Sequence, residues 1–477
     1  MNRFLLALLA LVPFAGCGTS TSTDTPSSAG ALSVPSARYP ARTDLLAIKI
    51  PEGAPTRWPA AQFPPLRSVR LLPHTPDADI AADLRKQFGK AILDPTVYEQ
   101  DVWMPAQADR LARLVDAHFG TPAAPTVRIP SREQVIAAGV VRFDPTVSLG
   151  ANLKDVRARW GKAKVKDWEA DWEAATATKT ALKLDDATLA RGSVVYRRWC
   201  LQCHGPSGAG DAAYAVEGGP VPRDYRQGVF KFTTAFPPPS APKKAGLGAS
   251  GKARRDDLTR TIRNGIDGTI MPAFSSLTDA ELDDVVSYVI HLSVRGETEF
   301  ATLAKLIKPG ADDPIFEGGE LDWLFAQHEL AVLINWGVAE AHKIPVPGEK
   351  PMTEKERIDS AVRGFRLYNA AEFGCGSCHA NYGRGQQLKW DAWGTVVQPR
   401  NLTLGVYRGG RTGTDLYARI YGGITPSGMT AFHDRVTTAP PGTPDKIWDV
   451  VHFLHALADP ADRKRMQDAD PSIKFDP

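Results

Sequence analysis

The sequence predicts a mainly α-helical protein: two homologous helical domains in tandem, preceded by a separate N-terminal region with some helix. Three observations predict it. Four sequence blocks occur twice in the same order, and apolar residues recur at helical spacing around them. Proline and glycine, 38 and 41 of 477 residues, break the chain into modest helices joined by loops. A hydrophobic share of 43% allows packed cores, and a net charge of +3 argues against a nucleic-acid-binding surface or a strongly acidic partner.

Taken in order, the chain begins with Arg3 and an almost wholly apolar run from Phe4 to Ala15, followed by Gly16-Cys17. The run is too short for a permanent bilayer span, so residues 1–17 read as a processed signal peptide. Phe14-Ala15-Gly16-Cys17 resembles a bacterial lipobox, which implies that Cys17 is lipidated and becomes the new N-terminus. Residues 18–36 are a Ser/Thr/Pro/Gly/Ala tract with almost no charge, the composition of a disordered tether. No later segment has the length and apolarity of a transmembrane helix. The expected location is the periplasmic side of a bacterial membrane, with the protein held there by its lipid.

Residues 37–182 form a separate N-terminal region without cysteine. Ala106 to Phe119 is amphipathic and stops at Gly120 with Pro122 beyond; Lys154 to Thr180 is charged and helical, with Trp160, Trp168 and Trp172 embedded. The two repeats occupy 183–297 and 355–462, joined by a helical connector at 298–354 and followed by a tail at 463–477. Trp199-Cys200-Leu201-Gln202-Cys203-His204 recurs 175 positions on as Gly374-Cys375-Gly376-Ser377-Cys378-His379. Pro222-Arg223-Asp224 with Gly228-Val229-Phe230-Lys231 recurs as Pro399-Arg400-Asn401 with Gly405-Val406-Tyr407-Arg408. Asp257-Leu258, Ile262, Gly265-Ile266, Met271 and Ala273-Phe274 recur as Asp415-Leu416, Ile420, Gly423-Ile424, Met429 and Ala431-Phe432. Asp284 to Tyr288 recurs as Asp449 to Phe453. The first copy carries an insertion within Thr233 to Arg255.

Periodicity predicts helices over Ala187–Trp199 and Glu354–Asn369, each running into a cysteine motif, and over Asp256–Asn264 and Thr414–Tyr421. Thr278–Ser293, opened by a Thr278/Glu281 capping box, and Pro444–Ala458 close the two copies. Glu320 to His342 is the connector's helix.

Cysteine carries the chemistry. Of five, Cys17 belongs to the leader, and the other four make two C-x-x-C-H motifs with nothing left for a structural disulfide. In C-x-x-C-H two thiols can add across the vinyl groups of one haem while the adjacent imidazole meets the iron from the same side. The spacing therefore predicts two haems c, held by Cys200 and Cys203 and by Cys375 and Cys378, with His204 and His379 as axial ligands. The competing readings are one zinc held by four thiolates, or a redox disulfide. A histidine after both pairs is unnecessary for zinc, and export favours haem. Met271 and Met429 are the candidate sixth ligands. They stand in register, 67 and 50 residues after their histidines, each beyond a glycine-containing turn, and only six methionines exist. His291, His433, His452 and His455 are weaker competitors; His74, His118, His328 and His342 lack repeat counterparts and read as structural.

Both copies resemble class I cytochrome c domains, over roughly 185–295 and 358–460, and the whole resembles bacterial lipoprotein diheme cytochromes c. The resemblance implies that Gly192 and Tyr196, then Gly364 and Tyr368, let the first helix of each copy cross the last, against Tyr288 and Phe453. It also implies that Pro222 and Pro399 offer a carbonyl to the proximal histidine and that Arg223 and Arg400 meet a haem propionate. Met271 is followed by Pro272, as in the family, whereas Met429 is followed by Thr430.

The expected role is electron transfer rather than catalysis, between periplasmic or membrane-bound redox partners in a respiratory chain, a terminal oxidase or a dehydrogenase among them. The alternatives are a diheme peroxidase-like enzyme, which needs an open sixth site, a haem-containing subunit of a periplasmic dehydrogenase or terminal oxidase, and an N-terminal module that binds a partner subunit. Lys243, Lys244, Lys252, Arg254 and Arg255 in the insertion read as a solvated loop or as a basic docking patch.

Overall fold

The computed structural model describes residue 39 and residues 105–130, 170–210, 212, 222–236, 251–306, 320–385, 389–390, 396–424, 427–435 and 445–475. Cys17, the tether at 18–36, His74, Lys154, Trp160, Trp168, Lys243, Lys244 and Pro444 lie outside these residues.

In chain order the helices are α1 (Pro105–Phe119), α2 (170–181), α3 (Asp186–Trp199), α4 (Arg255–Asn264) and α5 (Asp279–Leu306). They continue with α6 (Glu320–Ala341), α7 (Glu354–Asn369), α8 (Gly413–Gly422), α9 (Lys446–Ala458) and α10 (Pro460–Ala469). Two-residue strands β1 (Lys389–Trp390) and β2 (Val396–Val397) pair antiparallel, Lys389 opposite Val397. The protein is thus mainly α. Among the described residues no helix is long and apolar enough to cross a membrane.

The caps explain the boundaries. Asp185 accepts from the Thr188 backbone N–H before α3. Thr278 with Glu281, Thr353 with Glu356 and Thr412 with Asp415 form reciprocal capping boxes before α5, α7 and α8. At the end of α1, Gly120 takes φ +69°, a conformation that favours glycine.

Two hydrophobic cores result. The first joins α1, α2, α3, α5 and α6 through residues such as Phe119, Leu182, Tyr196, Tyr288 and Trp336, all fully buried. The second joins α7, α8, α9 and α10 through Ala361, Tyr417, Phe453 and Met466. In each core the first and last helices of a repeat cross at a glycine. A Cβ on Gly192 would strike Asp284 O, and one on Gly364 would strike Asp449 O. The crossing is stitched by a bidentate ion pair in each copy, Arg191–Asp284 at 2.8 Å and Arg363–Asp449 at 2.6 and 3.0 Å.

Helix α5 runs to Leu306, thirteen residues past the expected end at Ser293. Arg295-Gly296-Glu297 looks like a helix exit, but its charges are neutralised inside. Glu297 is buried, accepts from Lys252 Nζ at 2.5 Å and from Trp336 Nε1 at 2.7 Å, and Arg295 pairs with Glu299 at 3.3 Å. Gly296 leaves room for the Arg226 backbone. Sequence periodicity could not anticipate partners supplied by α6.

The insertion's described cations correct both readings of it. Lys252 is 3% exposed and pairs with Glu297. Arg254 binds Glu340 O, and Arg255 donates to Leu182 O and Ser287 Oγ and pairs with Asp283. These three are internal staples, neither a docking patch nor a solvated loop.

Candidate functional site

The first cysteine motif sits on a tight turn at the end of α3. Cys203 N and His204 N both donate to Cys200 O, at 3.1 and 2.9 Å. The second repeats this one turn beyond the end of α7, with Cys378 N and His379 N on Cys375 O at 3.2 and 2.8 Å. Each pair of thiols thereby projects from one turn of chain with its histidine next to it. None of the four cysteines is in a disulfide, and all are half-buried. Burial pushes the Cys200 thiol up to about 12, and it does the same for Cys375. A tyrosine from the preceding helix fastens each turn: Tyr196 Oη donates to Gly205 O at 2.8 Å, and Tyr368 Oη to His379 O at 2.6 Å.

The histidines face backbone carbonyls. His204 Nδ1 lies 3.3 Å from Arg223 O, and His379 Nδ1 lies 3.1 Å from Arg400 O. The carbonyl expected from Pro222 and Pro399 thus comes one residue later. The reason is local: Asp224 and Asn401 cap short 3₁₀ turns by accepting from Arg226 N and Thr403 N, and Gly228 and Gly405 close them at φ +59° and +63°. That turn aims the carbonyl just before its cap at the imidazole. Tyr225 additionally stacks on the His204 ring, 4.5 Å between centroids and 21° between planes.

The methionine turns are equally matched. Ile266 N donates to Met271 O at 3.2 Å, and Ile424 N to Met429 O at 2.9 Å. Phe274 N reaches Ile262 O, and Phe432 N reaches Ile420 O, each at 3.1 Å. Gly265 and Gly423, at φ +69° and +68°, let the returning chain press on the helix end; a Cβ would lie 2.8 Å from Met271 O or 2.6 Å from Met429 O. Replacing Pro272 by Thr430 leaves this pattern intact. Met271 packs on the first core together with Cys200, and Met429 on the second together with Cys375.

Most of the other described histidines are hydrogen-bonded. His291 Nε2 meets Tyr39 Oη at 3.1 Å, His452 bridges Ser360 and Glu349, and His455 Nε2 meets Arg411 O. His118 pairs with buried Glu329, His328 bonds Thr302, and His342 bonds Val338 O. His433 packs on the Phe236 and Tyr421 rings with its Nδ1 buried and lacking a hydrogen-bond partner.

Among the described residues no three His, Cys, Asp or Glu side chains converge as a metal cluster, and the two thiol pairs belong to different cores. This geometry does not favour one four-thiolate zinc. It fits a cofactor gripped at each turn. Arg408 Nε and Arg419 Nε are buried donors without an acceptor, an arrangement that suits a group bearing carboxylates, as haem does. Sequence reasoning missed Arg191 and Arg363; the Arg-Gly dipeptide repeated at 191 and 363 was the available signal.

Residues 187–289 match the family described as cytochrome C oxidase, cbb3-type, subunit III. That stretch is a cytochrome c domain, which implies bound haem c and electron transfer through its iron. No curated protein has significant sequence similarity to the chain. Among solved structures, a chain of the reducing HAO-like protein complex of Kuenenia stuttgartiensis is 22% identical, covering 56% of this chain and 96% of that one, with a TM-score of 0.40.

Proposed function

We propose that the chain is a diheme c-type cytochrome, two class I cytochrome c domains in tandem, that carries electrons between redox partners in a respiratory chain. One observation carries this reading: both C-x-x-C-H turns share one backbone construction, and both copies place a methionine on the same glycine-hinged turn. Cys200, Cys203, Cys375 and Cys378 would hold the haems through thioether links, and His204 with Met271, and His379 with Met429, would hold the irons. A haem c held this way supplies a one-electron iron couple. The carbonyls of Arg223 and Arg400 accept from the proximal Nδ1–H, which fixes the tautomer and directs Nε2 to the metal. A thioether from Met271 or Met429 would favour the reduced state and would leave a substrate no place at the iron, so the residues suit a carrier rather than a peroxidase.

The match of residues 187–289 to an oxidase subunit supports a terminal oxidase, or a complex resembling one, as partner. The lipobox-like sequence at Cys17 supports export and a lipid anchor on the periplasmic side of the membrane.

A pyridine haemochrome assay with oxidised and reduced spectra tests the reading. Two haems c per chain are expected, with the weak far-red ferric band of methionine-bound iron. Replacing Cys200 and Cys203, or Cys375 and Cys378, by alanine should remove one haem each. A single haem, or a high-spin ferric spectrum, would overturn the proposal.

A further inference from the structure

The turn that presents Met271 touches the second repeat. It is a tight structure: Thr269 N and Oγ1 both donate to Ile266 O, at 3.1 and 2.8 Å, and Met271 N donates to Thr269 Oγ1 at 3.2 Å. At its tip Gly268 takes φ +70°, and the Arg400 guanidinium lies against it; a Cβ there would meet Cζ and Nη1 at 3.1 Å and Nη2 closer still. Arg408 Nη2 donates to Gly268 O at 3.2 Å.

Arg400 therefore has two attachments. Its carbonyl faces His379 Nδ1 at 3.1 Å, and its guanidinium, braced by Nε on Val406 O at 3.0 Å, covers Gly268. One residue spans from the proximal histidine of the second site to the methionine turn of the first. The surrounding seam resists slippage. The Phe232 ring lies against Gly409 and beneath the Arg419 guanidinium, Arg260 pairs with Asp415 at 3.7 Å, and Phe236 enters the second core. Burial, then the neighbouring Arg400 charge, holds Arg408 below the usual guanidinium range; an anionic group beside the pair would relieve both.

We propose that Arg400 and Arg408 are positioning residues for Met271: they hold the Ile266–Met271 turn in the shape that presents the thioether and tie it to the second haem site. This rests on the diheme reading above. A change at the second site thereby reaches the first iron's ligand through Arg400.

The test uses the full, matured protein and reads the far-red ferric band and the two reduction waves. Met271→Ala and Met429→Ala first assign which half of the band and which wave belong to each site. Arg408→Leu should then lose much of the Met271 contribution, up to about half of the whole band, and lower the potential of the first wave. Two haems per chain and the Met429 contribution should be retained. Arg408→Lys, which keeps a donor, should restore the band, and Gly268→Ala should reproduce the loss. Wild-type protein with both contributions, combined with an Arg408→Leu variant that is unchanged or altered only at Met429, overturns this inference alone. Wild-type protein lacking the two haems or the band overturns the proposed function and this inference with it.

Discussion

His291 shows what burial does to a single ionisable side chain. It is fully buried on α5, bonded through Nε2 to Tyr39 Oη, with Nδ1 lacking a partner. Burial, then the nearby Arg295 charge, lowers its pKa from 6.5 to about 3. The folded state thus refuses a proton that the unfolded chain accepts. Stability from this group is fully present above pH 6.5 and is lost as pH falls toward about 3, at up to about 1.4 kcal/mol per pH unit. Denaturant titrations across that window should show a shallower pH dependence for His291→Gln than for wild type; parallel curves would sink the idea. Legibility at this scale follows the range of the chemistry. The shared turn of Cys200, Cys203 and His204 was legible because one turn of chain holds the whole motif. The equivalence of the Met271 and Met429 turns was legible through register. Lys252 was misread because its burial depends on Glu297 and Trp336, residues 45 and 84 positions away.

At the scale of elements, the helix crossings are where sequence and structure agree most closely. Gly192 and Gly364 stand four residues before Tyr196 and Tyr368, so glycine and ring share one helical face. The partner helix needs that gap: Tyr196 meets Tyr288 at 5.2 Å between centroids, and Tyr368 meets Phe453 at 5.1 Å. Gly364→Ala would drive a methyl group into the Asp449 backbone carbonyl, which cannot swing aside, and the helices must separate. The expected cost is about 1–3 kcal/mol or more, read as a lower unfolding midpoint with haem content unchanged; an unaltered midpoint would show that the crossing gives way freely. Capped 3₁₀ turns were less legible, because Asp224 and Asn401 matter through the carbonyl they redirect. The length of α5 was illegible, since residues 294–302 stay helical by packing on α6 rather than by their own pattern.

For the whole molecule, the two cores imply two thermodynamic units. The described N-terminal residues pack against the first repeat. Tyr39 reaches Tyr288 and His291, Ser193 Oγ bonds Pro122 O, His118 pairs with Glu329 of α6, and Phe119 touches His291 and Phe325. The second core draws on α7 to α10 and on the C-terminal residues Ile473 and Phe475. Between them lies the thinner seam of Arg400, Arg408, Phe232 and Phe236. Phe119→Ala, at a fully buried side chain far in sequence from either cysteine motif, tests this division. A cavity there should cost about 3–5 kcal/mol, felt by every element of the first core. Calorimetry of the matured protein should then show one transition moving down by several degrees while the other holds its temperature. Equal movement of both would mean that the seam joins the cores into a single cooperative unit, and Arg400 and Arg408 would then be part of what transmits that cooperativity.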